Sequence, residues 1–154
     1  MIIFRMCRKK YCNDLSGQGA EKSGGRWNSK GTPMVYTSDS RALCLTEMVV
    51  NLQLNLLPID FNIVSILLPD DLPIDTLLFK KLPNDWNDFP HSHSTQKIGD
   101  DFFTTRKFVA LKVPSAVVPM EFNIVINPQH PLIGKVKVID ISDFVIDRRL
   151  IKLK

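Results

Sequence analysis

"GGRWNSKGTPMVYTSDSRALCLTE", residues Gly24 to Glu47, sets an arginine, a tyrosine and a glutamate between turn residues and an apolar helix. Its first half is crowded with glycine and proline and reads as a shaped loop. "MVYTS" follows as a brief strand. Ser38, Asp39 and Ser40 offer N-cap oxygens to a helix running to about Leu54. On that helix Ala42, Leu45, Val49 and Leu52 form one apolar stripe, and Leu43, Glu47, Val50 and Leu54 form the adjacent one. A carboxylate inside an apolar stripe is costly unless something pairs with it. From periodicity alone, Glu47 is either a boundary residue reaching solvent or a functional group. Arg26 is either its partner or a surface loop arginine.

Working outward, "IIFRMC" (2–7) reads as a first strand with Arg5 embedded in it. Residues 13–33 hold five of the seven glycines and are expected to form a long loop. "FNIVSILLP" (61–69) is a strand by β-branched content, and its low polarity predicts burial on both faces. Residues 70–92, punctuated by Pro73, Pro83 and Pro90, read as an irregular excursion. "SHSTQKIGDDFFTTRKF" reads as a helix with a break at Gly99. "VALKVPSAVVP", "FNIVIN" and "KVKVIDISDFVI" complete the strands. Strands outnumber helices without alternating with them, so the fold class is α+β rather than doubly wound.

One domain spanning 1–154 is the default at this length, with 44% hydrophobic and 23% charged residues. The net charge of +4 suits an anionic ligand, a nucleic acid or an acidic partner equally well. Cys7, Cys12 and Cys44 are odd in number and form no CxxC, which fits a reduced cytoplasmic compartment better than a disulfide scaffold. No segment approaches the ~18 uninterrupted apolar residues of a membrane span.

Several motifs can be set aside. "GQGAEKSG" lacks the last glycine of a dinucleotide fingerprint, because Lys22 stands in its place. His91 and His93 form an isolated His-x-His without further metal ligands, so solvent-exposed histidines are expected. The closing "DRRLIKLK" reads as a solvated basic tail without the interleaved aromatics of a base-stacking surface. Tyr36 alone reads as a core aromatic. Ser115, inside "KVPSAVVP", reads as a small strand residue with its hydroxyl tied to the backbone.

Taken together, "FRMC", "GQGAEKSGGRWNSKGTPMVYTSDSRALCLTE", "VPSAVVPMEFNIVINPQHP" and "FVIDRRL" resemble the RES domain, named for its Arg, Glu and Ser. The resemblance runs in order over nearly the whole chain. It departs at "IGDDFF", where the family often carries a tryptophan and this chain has Phe102 and Phe103. The resemblance implies a mixed β core with flanking helices, like that of ADP-ribosyltransferase toxins. It also implies a bacterial toxin that depletes NAD, with a site built from Arg5, Arg26, Tyr36, Glu47 and Ser115 and no metal. The implied partner is a helix-turn-helix antitoxin of Xre type that covers the site and represses the operon. A toxin homodimer within that complex belongs to the same picture; direct nucleic-acid binding by the toxin does not.

The implied chemistry suits these residue types. Nicotinamide is already cationic in NAD and leaves as a neutral ring, so no general acid is needed. Ordinary glycosidases need a second carboxylate to protonate their leaving oxygen. Glu47 alone would then bind a ribose hydroxyl and stabilise the oxocarbenium-like charge. Arg5 and Arg26 would fork onto the pyrophosphate. Tyr36 would offer a flat face to nicotinamide, and Ser115 a hydrogen bond to ribose or carboxamide. The alternatives are a non-catalytic nucleotide-binding or antitoxin-docking module and, with less support, a basic nucleic-acid-binding or RNase-type toxin.

Overall fold

Among the described residues, the β-branched and apolar runs supply seven strands, and three α-helices lie between them in the order β1 (Ile2–Arg8), α1 (Gln18–Ser23), β2 (Val35–Ser38), α2 (Arg41–Asn51), β3 (Phe61–Leu67), β4 (Ile74–Thr76), α3 (His93–Thr105), β5 (Ala110–Pro114), β6 (Phe122–Ile126) and β7 (Lys137–Asp143). The computed structural model describes residues 1–51, 60–147 and 149. The strands form one sheet in the order β4-β5-β6-β2-β1-β3-β7. Among the described residues, only the β4–β5 pair is parallel. Sequential strands pair at β1–β2, β4–β5 and β5–β6, whereas β6–β2, β1–β3 and β3–β7 join strands distant in sequence, in an α+β arrangement.

Alternation along β2 divides the core. Val35 joins Ile3, Val64, Ile66, Ile124 and Ile126 on one face of the sheet. Tyr36 packs against a second cluster that includes Trp27, Met34, Phe102, Leu111 and Val125. Phe102 comes from α3 and fills this cluster, so the phenylalanine that departs from the family pattern is a packing residue. β3 is buried at every position but its last, as its low polarity predicts for a strand flanked on both sides. All three cysteines are free and buried. Burial pushes the Cys7 thiol up to about 12 and the Cys44 thiol to about 11, so both stay protonated and unreactive.

Four local expectations need correction. The glycine-rich stretch 13–33 contains α1, whose N-cap Gly17 has φ 75°. A Cβ there would sit 2.6 Å from the Met34 nitrogen, so the left-handed turn and the close approach both demand glycine. Residues 70–92 are not wholly irregular, because Ile74–Thr76 pairs with β5. Helix α3 runs through Gly99 without a break. Gly99 is there for packing: a Cβ would lie 1.7 Å from the Trp27 carbonyl oxygen, so only glycine lets the helix rest on that backbone.

The fourth correction concerns α2. Its buried pair is Leu43 and Cys44, whereas Ala42 is exposed and Val50 is 61% exposed. The two sequence stripes are therefore not both core-facing. The helix rests on β1 and β2 along a narrow strip, and Val50 borders a cleft instead. Leu52 and Leu54 lie outside the described residues.

Candidate active site

β1 and β3 pair along their full length, from Ile2–Leu67 to Arg8–Phe61. β1 and β2 pair only at Phe4–Ser38 and then diverge. The sheet is thus split between β1 and β2. A cavity of about 310 Å³ at this split is lined by Arg5, Tyr36, Ser38, Cys44, Glu47 and Asn123. A second, larger lobe of about 830 Å³ is bounded by Arg26, Trp27, Val50, His91 and Val117. Tyr36, Glu47 and Asn123 line both, so they stand where the two lobes meet.

Glu47 reaches this junction because Ser40 caps α2: its hydroxyl accepts from the Leu43 N–H at 3.1 Å. Glu47 Oε1 accepts two hydrogen bonds, from the Ser115 hydroxyl at 2.7 Å and from Asn123 Nδ2 at 2.6 Å. Ser115 Oγ in turn accepts the N–H groups of Val117 and Val118, at 3.1 and 3.0 Å. Its single proton is therefore committed to Glu47. Asn123 Oδ1 accepts from the Ser38 hydroxyl at 2.7 Å. Hydrogen bonds to a charged group contribute roughly 1.5–3 kcal/mol each, enough to hold a carboxylate beside an apolar helix face. The polar partners of Glu47 come from across the sheet, which is why the helix pattern alone left it unexplained.

Tyr36 is fixed by its hydroxyl, which donates to Asn28 Oδ1 at 2.7 Å and accepts the Trp27 N–H at 2.9 Å. Burial raises its phenol far above the ordinary value, so the ring is neutral. A Cβ on Gly25 would sit 2.6 Å from that hydroxyl, so the residue preceding Arg26 has no room for a side chain. Asn28 is fully buried and gives its amide to the carbonyls of Ala20 and Thr32, at 2.8 and 2.9 Å. The glycine-rich loop is therefore rigid where it meets the cleft.

Both arginines are engaged with loop carbonyls. Arg26 donates Nη1 to the carbonyls of Trp86 and Asp88, at 2.6 and 3.0 Å, and so ties the 86–88 loop to the cleft wall. Burial lowers its pKa, and the charge of Glu47 opposes that shift without a direct ion pair. Arg5 donates Nη1 to the Asp14 carbonyl on the first lobe's side. Each arginine anchors a loop through one terminal nitrogen.

Arg26, Tyr36, Glu47 and Ser115 thus converge on the larger lobe or its rim, with Arg5 in the smaller one. Ser115 touches Glu47 directly. Sequence reading missed Asn123 and Ser38. The available signal was an asparagine inside "FNIVIN", since asparagine is depleted in strands unless its amide has a specific partner. The polar residues that follow, in "NPQHP", are structural: Asn127 donates to the Phe103 carbonyl at 2.9 Å, and His130 Nδ1 accepts the Leu132 N–H at 3.1 Å.

His91, expected in solvent, lines the larger lobe instead, and its Nδ1 is buried without a partner among the described residues. Its ring packs edge-on to Phe89, with centroids 5.5 Å apart. Burial and the nearby Arg26 charge both lower its pKa. Among the described residues, no three His, Cys, Asp or Glu side chains are grouped closely enough to hold a metal ion.

Comparison with known proteins shows the family and the fold. The RES domain family matches residues 2–147. A Toxin Res of Photorhabdus laumondii is 40% identical over 159 aligned positions, covering 100% of this chain and 99% of that protein. A Prs ADP-ribosylating toxin of a Sphingobium species is 35% identical, covering 94% of this chain and 91% of that protein. A Toxin Res of Pseudomonas putida is 36% identical, covering 97% and 99%. In fold, a chain from the crystal structure of the M. tuberculosis MbcT–MbcA toxin–antitoxin complex superposes with a TM-score of 0.76 at 21% identity, covering 94% of this chain and 84% of that one. The chain belongs to the RES domain family.

Proposed function

We propose that this protein is the toxin of a bacterial toxin–antitoxin pair and acts by cleaving the nicotinamide–ribose bond of NAD in the cytoplasm. One observation carries the reading: a single carboxylate, Glu47, is held by two side-chain donors where two lobes meet, with an arginine bordering each lobe. NAD joins a dianionic pyrophosphate to a ribose with a cationic leaving ring. Its cleavage needs negative charge beside the anomeric carbon and donors for the pyrophosphate, but no acid. Glu47 would stabilise the developing oxocarbenium charge. Arg5 and Arg26 would bind the pyrophosphate through their remaining N–H groups, and the Tyr36 ring would face nicotinamide.

This division gives Ser115 a supporting part. Its proton is already shared with Glu47, so it would hold the carboxylate rather than a ribose hydroxyl. The name of the Sphingobium relative, an ADP-ribosylating toxin, supports NAD as substrate. The fold shared with a toxin–antitoxin complex supports an antitoxin partner, for which we propose an Xre-type protein that covers the cleft. A toxin homodimer within that complex and one domain over 1–154 belong to the same reading.

The test is to incubate the purified chain with NAD and identify both products. Release of free nicotinamide supports the reading. Mass spectrometry of the other product then separates the acceptors: ADP-ribose for water, ADP-ribose-1-phosphate for phosphate, modified protein for a side chain. No nicotinamide release, with NAD bound at the cleft, would favour the nucleotide-binding alternative. Salt-sensitive RNA binding or cleavage would favour the nucleic-acid alternative.

A further inference from the structure

We infer that Asn123, held by Ser38, is a positioning residue that sets which oxygen of Glu47 meets the substrate. Asn123 and Ser38 face each other directly across β6 and β2. The Ser38 hydroxyl donates to Asn123 Oδ1 at 2.7 Å, and Asn123 Nδ2 donates to Glu47 Oε1 at 2.6 Å. The amide cannot be reversed without cost, because an ionised carboxylate only accepts and must see the NH₂ group. Ser38 fixes the opposite end. It is itself 3% exposed, so its hydroxyl is not free to turn to solvent.

The second donor, Ser115, goes to the same oxygen, Oε1. Two donors on one oxygen fix where that oxygen sits. Oε2 takes no hydrogen bond from the described residues and is left for the cleft that Glu47 lines. The two supports differ in origin. Ser115 is backed by the N–H groups of Val117 and Val118, so it belongs to a loop, whereas Asn123 and Ser38 stand on paired strands of the sheet. The strand-borne pair therefore references Glu47 to the rigid frame. A carboxylate that must meet a short-lived cation gains from such preorganisation.

This inference rests on the proposed NAD cleavage for its kinetic consequence, but not for its structural one. The experiment has two arms. In the first, Asn123→Ala is expected to lower kcat about 10- to 100-fold, as a mispositioned reacting group does, while KM stays within about twofold. Ser38→Ala is expected to give a smaller loss of the same kind. Added to Glu47→Gln, Asn123→Ala should cause no further loss, because it acts through Glu47. Multiplying losses, or a raised KM with unchanged kcat, would overturn the inference in favour of direct substrate contact.

In the second arm, the Asn123 side-chain amide is followed by NMR in the unliganded protein. Its protons should exchange slowly with water in the wild type and faster in Ser38→Ala and in Glu47→Ala. Fast exchange in the wild type would overturn the positioning role even if NAD is cleaved. Slow exchange in a protein that leaves NAD intact would keep the positioning role and sink the NAD reading instead. Ser38→Ala removes only one oxygen, so it serves if Asn123→Ala fails to fold.

Discussion

Ser115 and Glu47, 68 positions apart, are joined by a 2.7 Å hydrogen bond in which the serine has no second proton to offer. Ser115→Ala removes that donor and also leaves the Val117 and Val118 N–H groups without their acceptor. We expect a stability loss of about 1–3 kcal/mol from the unpaired groups, read by chemical denaturation. We also expect a fall in kcat with little change in NAD affinity. An unchanged kcat with weakened NAD binding would assign the hydroxyl to the substrate after all.

Arg26→Lys keeps the charge but loses the guanidinium, whose Nη1 serves the Trp86 and Asp88 carbonyls while its other N–H groups remain for a ligand. An ammonium cannot reproduce both contacts and still reach a phosphate. Hydrogen exchange should rise in residues 86–91, and NAD affinity should fall about tenfold or more. Unaltered exchange and affinity would leave Arg26 without a role in the cleft.

His91 predicts a pH effect. Its pKa is below the ordinary 6.5 because burial and Arg26 disfavour the charged ring. The unfolded chain therefore takes up this proton at higher pH than the folded one. The stability His91 contributes is full above pH 6.5 and is lost as pH falls from there through the lower folded-state value. His91→Gln should flatten this acid-side decline in urea midpoints measured from about pH 8 to pH 5. Parallel curves for the two proteins would show that His91 titrates normally.

Gly99→Ala tests the packing of α3 on the glycine-rich loop. The added methyl would overlap the Trp27 carbonyl, which is backbone and cannot swing aside. Overpacking of this kind costs about 1–3 kcal/mol or more. Thermal unfolding should show a clear drop in Tm, and activity should fall with it, since Trp27 and Tyr36 share a hydrogen bond. A neutral substitution would mean that the helix can shift on its seat.

These results also indicate what could be read before folding. β3 was legible because an unbroken apolar run has few other uses, and Ser40 because its hydroxyl precedes the helix it caps. Gly99 misled for a physical reason: a glycine within a helix pattern looks like a break when it is a contact surface, and the Trp27 backbone it meets is far away in sequence. The cleft was legible only in part. Tyr36, Glu47 and Ser115 were singled out through the family resemblance, and their convergence adds physical sense to it. Asn123 and Ser38 were hidden because their function lies in a cross-strand pairing that no local pattern encodes. His91 was misread because the lobe it lines is completed by Arg26 and Trp27, which are far from it in sequence.

The most direct measurement compares Glu47→Gln with the wild type in nicotinamide release and NAD binding on the same preparations. Glutamine keeps the shape and an oxygen for the Ser115 and Asn123 donors, but removes the charge. The charge acts where the cation develops, so turnover should fall by about 100-fold or more while NAD affinity changes only severalfold. Retention of most of the turnover by Glu47→Gln would contradict the account, because no electrostatic role for that carboxylate would then remain.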